Sequence, residues 1–226
     1  FAAPAAGTDA ADATAWPSTQ QPLLERALRR AGVAPTPSHL AQTARLVRAA
    51  LDAPLPGGMR LHALPAARCV REMGFHFRLR PTRLDALFRL LHAHGYPRLQ
   101  RPPDDTLAGF MHGWIDLVYR DDPGRHYVPD YKTNRLPAYY DLQYLIYLLA
   151  LYRWLRLRRG ADFAPARDIG GAVYLFLRGL PQPGMPAEDR QGERVHGEGR
   201  DVGDTGVAGI HVDPVPPALL AAVDAL

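Results

Sequence analysis

Apolar positions recur along this chain at two periods, and each change of period marks an element. Leu23, Leu24, Ala27 and Leu28 repeat at helical spacing, which predicts a helix capped by Ser18 or Thr19 and ended at Gly32. Leu40, Leu46, Val47, Ala50 and Leu51 predict a second helix, capped by Ser38. The period drops to two between Cys69 and Leu79, where Phe75, Phe77 and Leu79 alternate with polar residues and predict a strand. Thr82 then opens a helix with Leu84, Leu87, Phe88 and Leu91 on one face, stopped by Gly95. Strands are predicted at 109–120 and 125–132, and the turn sequence Asp121-Asp122-Pro123-Gly124 between them makes a hairpin. A helix from Tyr139 to Arg159, ended by Gly160, precedes a buried strand from Gly171 to Leu177. A short strand near Ile210–Val212 and a helix from Pro217 finish the chain.

Two stretches lack this patterning. Residues 1–17 are rich in Ala, Gly, Asp and Thr and read as a tail or linker, and 180–208 is Gly-, Pro- and charge-rich and reads as a mobile loop. The remainder, 18–226, reads as one domain of mixed α/β class, since 226 residues with 47% hydrophobic content suffice for one sizeable core. The apolar run Leu142–Leu157 contains Gln143 and Arg153 and is too short and polar for a membrane span, so it is read as a buried helix. A single cysteine, Cys69, excludes internal disulfides and fits cytoplasmic residence. The formal charge of +4 permits an anionic partner such as nucleic acid without naming it. The chain opens on Phe1 and stops within a helical pattern, so it is read as a piece of a longer polypeptide.

Of the 27 Lys and Arg positions only one, Lys132, is lysine. An ammonium is a compact point charge that can sit against a phosphoryl oxygen, which the planar guanidinium does less readily. Asp130 precedes it by two residues and therefore shares its strand face. The hairpin places Asp116 across from Asp130 within about one residue, with Cβ atoms roughly 5 Å apart if they face directly. Opposed acids repel unless a hard cation such as Mg²⁺ lies between them. Pro129 cannot donate to a ladder, which suggests a bulge or sheet edge and makes the Tyr131 carbonyl a further candidate ligand. Gln143 and Tyr147, four apart, share a helix face that points at this region if the helix packs on the hairpin; both also suit a core helix with polar tips. Two carboxylates and a lysine in this arrangement suggest metal-dependent phosphodiester hydrolysis. Arg153, Arg156, Arg158 and Arg159 read either as a phosphate grip or as a solvated helix end matched to the dipole. His112, on simple alternation, shares the face of Asp116 and is a weak ligand candidate, and no phosphate loop of the ATPase kind is present.

The runs Gly113-Trp114-Ile115-Asp116-Leu117-Val118, Asp130-Tyr131-Lys132-Thr133-Asn134, Tyr140-Asp141-Leu142-Gln143-Tyr144-Leu145-Ile146-Tyr147 and Tyr174-Leu175-Phe176-Leu177-Arg178-Gly179 resemble the C-terminal nuclease domain of the RecB family. The resemblance runs from about residue 16 to the C-terminus. It implies the restriction-endonuclease-like fold of the PD-(D/E)XK superfamily, a mixed sheet flanked by helices. By position it implies Asp116 and Asp130 as metal-binding acids, Lys132 as the catalytic lysine, and Gln143 and Tyr147 as the active-site helix motif. It implies a Mg²⁺-dependent exodeoxyribonuclease, ATP-dependent in a complex with RecC-like and RecD-like subunits and with helicase domains of its own polypeptide. Its setting would be double-strand break repair and recombination.

The family also carries an upstream histidine in a Gly-Thr-x-x-His-type motif, whereas here Gly7-Thr8 is followed by Asp9-Ala10-Ala11. The nuclease domain is therefore expected to be truncated at its N-terminus. This departure keeps open an alternative, a DNA-binding or regulatory module that has the fold without turnover. Superfamily relatives with an iron-sulfur cluster need a set of cysteines, and Cys69 stands alone.

Overall fold

The computed structural model describes residues 18–96, 105–133, 141–181 and 208–226. The tail expected at 1–17, nearly all of the loop expected at 180–208 and the first residues of the helix expected from Tyr139 lie outside the described residues.

Helix α1 (Gln21–Arg30) follows a 3₁₀ turn at Ser18–Gln20, with Gln20 in the capping position and no side-chain cap bond. Neither Ser18 nor Thr19 caps it, because Pro22 supplies a fixed φ and needs no donor in the first turn. In α2 (Pro37–Asp52) the cap is Thr36, whose Oγ1 accepts from the His39 N–H at 3.2 Å, and not Ser38. Pro37 takes the first helical position and moves Ser38 inside the helix. A two-residue pair, β1 (Pro54–Leu55) and β2 (Met59–Arg60), was not foreseen. Strand β3 (Cys69–Arg83) runs longer than expected, and α3 (Leu84–Ala93) starts from Arg83, because the Thr82 hydroxyl donates to the Arg80 carbonyl instead of capping. Strands β4 (Thr106–Arg120) and β5 (His126–Lys132) form the expected hairpin. Then come α4 (Asp141–Arg159), α5 (Pro165–Asp168), β6 (Ile169–Phe176), β7 (Ile210–Asp213) and α6 (Pro217–Ala225).

The large sheet has the order β3-β4-β5-β6-β7, antiparallel throughout except for the parallel pair β5–β6. This is the mixed sheet flanked by helices that the resemblance implies. One face packs on α3, α4 and α6 through Val128, Tyr174 and Phe176 against Leu91, Leu148, Leu151 and Leu219. The other packs on the C-terminal end of α2 through Tyr119, Tyr127, Val173 and Leu175 against Ala49 and Ala50. At Gly171, where β6 meets β7, φ is +126° and a Cβ would lie 2.2 Å from the Asp213 carbonyl oxygen, so only glycine lets the strands approach. Among the described residues no helix is long and apolar enough to cross a membrane.

The hairpin of β3 and β4 twists at one position. Met73 and Ile115 pack on the α4 side of the sheet, whereas Cys69, Leu117 and Tyr119 pack on the α2 side, although all five are odd-numbered. The faces exchange at the pair Glu72 and Asp116, which the ladder omits between Arg71↔Leu117 and Met73↔Ile115. Glu72 has φ +50°, the one positive value at a non-glycine residue among those described.

Candidate active site

Strand β5 presents its even-numbered residues to α4: Val128 lies in the α4-side core, and Asp130 and Lys132 follow it, each 9% exposed. Charges this buried need partners. The Lys132 Nζ lies 2.6 Å from Asp130 Oδ2 and donates to Gln143 Oε1 at 2.9 Å. The Gln143 Nε2 in turn donates to the Tyr147 hydroxyl at 2.8 Å, one helical turn along α4. The Tyr147 ring rests edge-on against Phe75 of β3, with centroids 6.1 Å apart. The structure thus joins Asp130, Lys132, Gln143 and Tyr147 in one polar chain running from the sheet into α4.

Asp116 completes the group from the other arm of the hairpin. The β4–β5 ladder holds only at Tyr119↔Tyr127 and Arg120↔His126 before it opens, and that register carried forward sets Asp116 opposite Asp130. Burial raises the Asp130 carboxyl above its ordinary value; Lys132 opposes the rise and the Asp116 charge adds to it. Burial, and then the charge of Asp116, push the Tyr131 phenol up to about 12. Asp116 itself is exposed, on the side where the strands part.

Backbone alternation decides what else faces the opening. The Asp121 N–H donates to the Arg125 carbonyl, so odd residues of β5 turn their backbone groups to β4; the Leu177 N–H donates to the Lys132 carbonyl, so even residues turn to β6. The Pro129 nitrogen and the Tyr131 carbonyl therefore face the gap. No bulge lies at Pro129, since the register shift of β5 is at His126/Tyr127, but the open edge expected there is present on the β4 side, where the ladder stops at Tyr119↔Tyr127. Pro129 is accommodated because pairing with β4 has ended before it, so no ladder bond needs its missing N–H.

Two carboxylates and a main-chain carbonyl are the donors a small hard dication takes, leaving water to fill its sphere. The chain shows capacity for one, since Asp130 Oδ2 is buried and, apart from the ion pair with Lys132, has no aligned hydrogen bond. Among the described residues no three His, Cys, Asp or Glu side chains group as a metal cluster. His112 is not brought to the acids by strand alternation, because the faces exchange at Asp116; it is exposed, opposite His76. Glu72, across from Asp116 on β3, carried no signal in the sequence. The arginines at the end of α4 are engaged within the fold. Arg153 and Arg156 pair with Asp224, Arg159 pairs with Asp168, and Arg158 lies over the Trp154 ring.

Comparison with known proteins bears on the family. The profile of the PD-(D/E)XK nuclease superfamily matches residues 15–214. RecBCD enzyme subunit RecB of Escherichia coli is 37% identical over 167 residues, 62% of this chain and 14% of that protein. Its counterpart in Haemophilus influenzae is 35% identical over 149 residues, 57% of this chain and 12% of its own length. That of Mycobacterium tuberculosis is 40% identical over 94 residues, 34% of this chain and 8% of its own length. The chain thus matches only a small part of each of these relatives.

Proposed function

Because this chain belongs to the PD-(D/E)XK nuclease superfamily, we propose that it hydrolyses phosphodiester bonds of linear DNA as the Mg²⁺-dependent nuclease domain of a RecB-like helicase-nuclease subunit. The observation that carries the reading is the chain of contacts Asp130–Lys132–Gln143–Tyr147 beside the Asp116 carboxylate, where β4 and β5 part. In this reading the parent protein works in the cytoplasm with RecC-like and RecD-like subunits, its ATP-driven unwinding residing in helicase domains outside this segment. It serves double-strand break repair and recombination.

Asp116, Asp130 and the Tyr131 carbonyl would hold the cation, which when bound polarises a phosphate and lowers the pKa of a coordinated water. Lys132 meets the negative charge that grows on the phosphoryl oxygens as the P–O bond breaks. Its ammonium is already aimed, because Gln143 fixes one N–H and Asp130 attracts another. Gln143 is a positioning residue in the absence of DNA, and Tyr147 holds its amide in the orientation that presents the carbonyl to Lys132.

The test is cleavage of an end-labelled linear duplex with chelator, and then with Mg²⁺ restored. Cleavage is expected to need the cation and to vanish in Asp116→Asn and Asp130→Asn while DNA binding persists. Cleavage retained in both variants would refute the site. Intact binding by a wild type that never cleaves would point to the DNA-holding alternative.

A further inference from the structure

We propose that the outer face of the β3–β4 hairpin is a stacking platform for the bases of single-stranded DNA, built on Trp114 and Phe110 and leading the strand towards Asp116. The proposal rests on the nuclease reading above and adds how the substrate strand is held.

On this hairpin Met73, Phe75, Phe77 and Ile115 pack towards the α4-side core. The opposite face carries Gly74, His76 and Arg78 on β3 and Phe110, His112 and Trp114 on β4, all exposed. Phe110 is 66% exposed and Trp114 64%, far more than their ring size favours in water. Both rings are nevertheless backed. Trp114 pairs with Gly74, and a Cβ on that glycine would come 3.0 Å from the indole Cζ3, so the indole lies on bare strand backbone. The Phe110 ring is stacked on His76, with centroids 5.0 Å apart and planes 8° from parallel. Each aromatic therefore has one face supported and the other turned to solvent, which is the geometry a nucleobase needs.

The spacing and the charge favour an unpaired strand. Four residues of strand separate the rings by about 14 Å, much more than the roughly 3.4 Å between bases stacked in a duplex. Bases resting on both rings must be splayed apart, as only single-stranded nucleic acid allows. Arg78 sits directly across from Phe110 and Arg71 lies further along β3; neither forms an ion pair with a carboxylate among the described residues, which leaves both guanidinium groups for phosphates. Asp116, two residues from Trp114, is where the faces exchange and where β4 has parted from β5, so a strand on the indole reaches the edge of the two-acid site from the face opposite α4.

The test is fluorescence anisotropy with labelled oligothymidylate and with a short duplex, in chelator so that nothing is cut. Trp114→Ala, Phe110→Ala, the double variant, Trp114→Phe and Asp130→Asn are compared, with circular dichroism melts to show that each is folded. Each ring lost is expected to weaken oligothymidylate binding about tenfold, with duplex binding little changed and Trp114→Phe close to wild type. Oligothymidylate should also quench tryptophan emission in the wild type and do so far less in Trp114→Phe. Unchanged oligothymidylate affinity in the double variant overturns the proposal. So does equal loss for single strand and duplex. A double variant that keeps its affinity for oligothymidylate and loses contact with a partner subunit would make this face a protein interface and overturn the proposal as well. A parallel cleavage assay with Mg²⁺ restored separates the two readings: cleavage retained in both Asp116→Asn and Asp130→Asn defeats the nuclease site, whereas only the binding of the aromatic variants speaks to the platform.

Discussion

Lys132 donates a hydrogen bond to Gln143 across the boundary between sheet and helix, at 2.9 Å, while lying 2.6 Å from Asp130. An ammonium with three donors on a flexible stem samples many directions unless two of them are fixed. Here the strand supplies the carboxylate and α4 supplies the amide, so the position of α4 relative to β5 sets where the remaining N–H points. Helix packing is thereby coupled to the aim of the lysine.

Gln143→Leu keeps the volume and removes the amide. Single-turnover cleavage of linear DNA is expected to fall by about 10- to 100-fold, the scale of a lost orienting contact, with the melting temperature nearly unchanged because Gln143 is only half-buried. A variant cutting at wild-type rate would show that Lys132 needs no support from α4.

The two acids should differ in what they do to stability. Asp130→Asn leaves a 9% exposed ammonium without its carboxylate and is expected to cost about 1–3 kcal/mol. Asp116→Asn removes a like charge from beside Asp130 and should leave stability unchanged or raise it by a few tenths of a kcal/mol. Urea titrations in chelator measure both. Equal losses in the two variants would show that Asp116 is not repelling Asp130.

Lys132→Arg preserves charge and is nonetheless expected to be almost as damaging to cleavage as Lys132→Ala. The site offers Asp130 and Gln143 to a single nitrogen in a nearly closed space, and a guanidinium spreads its donors across a plane. Single-turnover rates with melting curves as controls decide it; near wild-type cleavage by Lys132→Arg would reduce the requirement to positive charge alone.

The site was legible where short-range rules govern. The Asp-Asp-Pro-Gly turn fixes the register that sets Asp116 against Asp130, the two-residue step puts Asp130 and Lys132 on one face, and the four-residue step aligns Gln143 with Tyr147. What stayed hidden depends on twist and on distant partners. The alternation Ile115, Leu117, Tyr119 reads as one continuous face, yet it passes from one core to the other at Asp116, which is why His112 was misplaced. Asp213 accepts from the hydroxyls of Tyr96 and Tyr144, residues far apart in the chain, and no local pattern announces that buried contact. The starts of α1 and α2 differ from expectation because prolines in their first turns displace the caps expected from spacing, and that of α3 because the Thr82 hydroxyl bonds the Arg80 carbonyl.

Acid should unfold the protein partly through Asp168. Its side chain is 2% exposed and accepts from the Ala164 N–H at 2.9 Å, with Arg167 at 2.8 Å and Arg159 at 2.7 Å. The hydrogen bond from Arg167 is the largest cause holding the carboxyl down to about 2 from its ordinary 3.8; burial opposes it, and the Ala164 N–H and Arg159 assist. A folded pKa below the unfolded one means that the stabilisation is complete above about pH 4 and is lost as pH falls through about 2. A shift of this size corresponds to roughly 2–3 kcal/mol. His126, whose ring meets the Asp168 carbonyl and is held below its ordinary pKa by burial, adds an acid-sensitive slope of its own; comparing Asp168→Asn with wild type cancels it. Urea midpoints are therefore expected to be lower for Asp168→Asn at neutral pH and to converge with wild type between pH 4 and 2. Parallel profiles across that window would show that Asp168 is not the group whose protonation loosens the junction of α5 and β6.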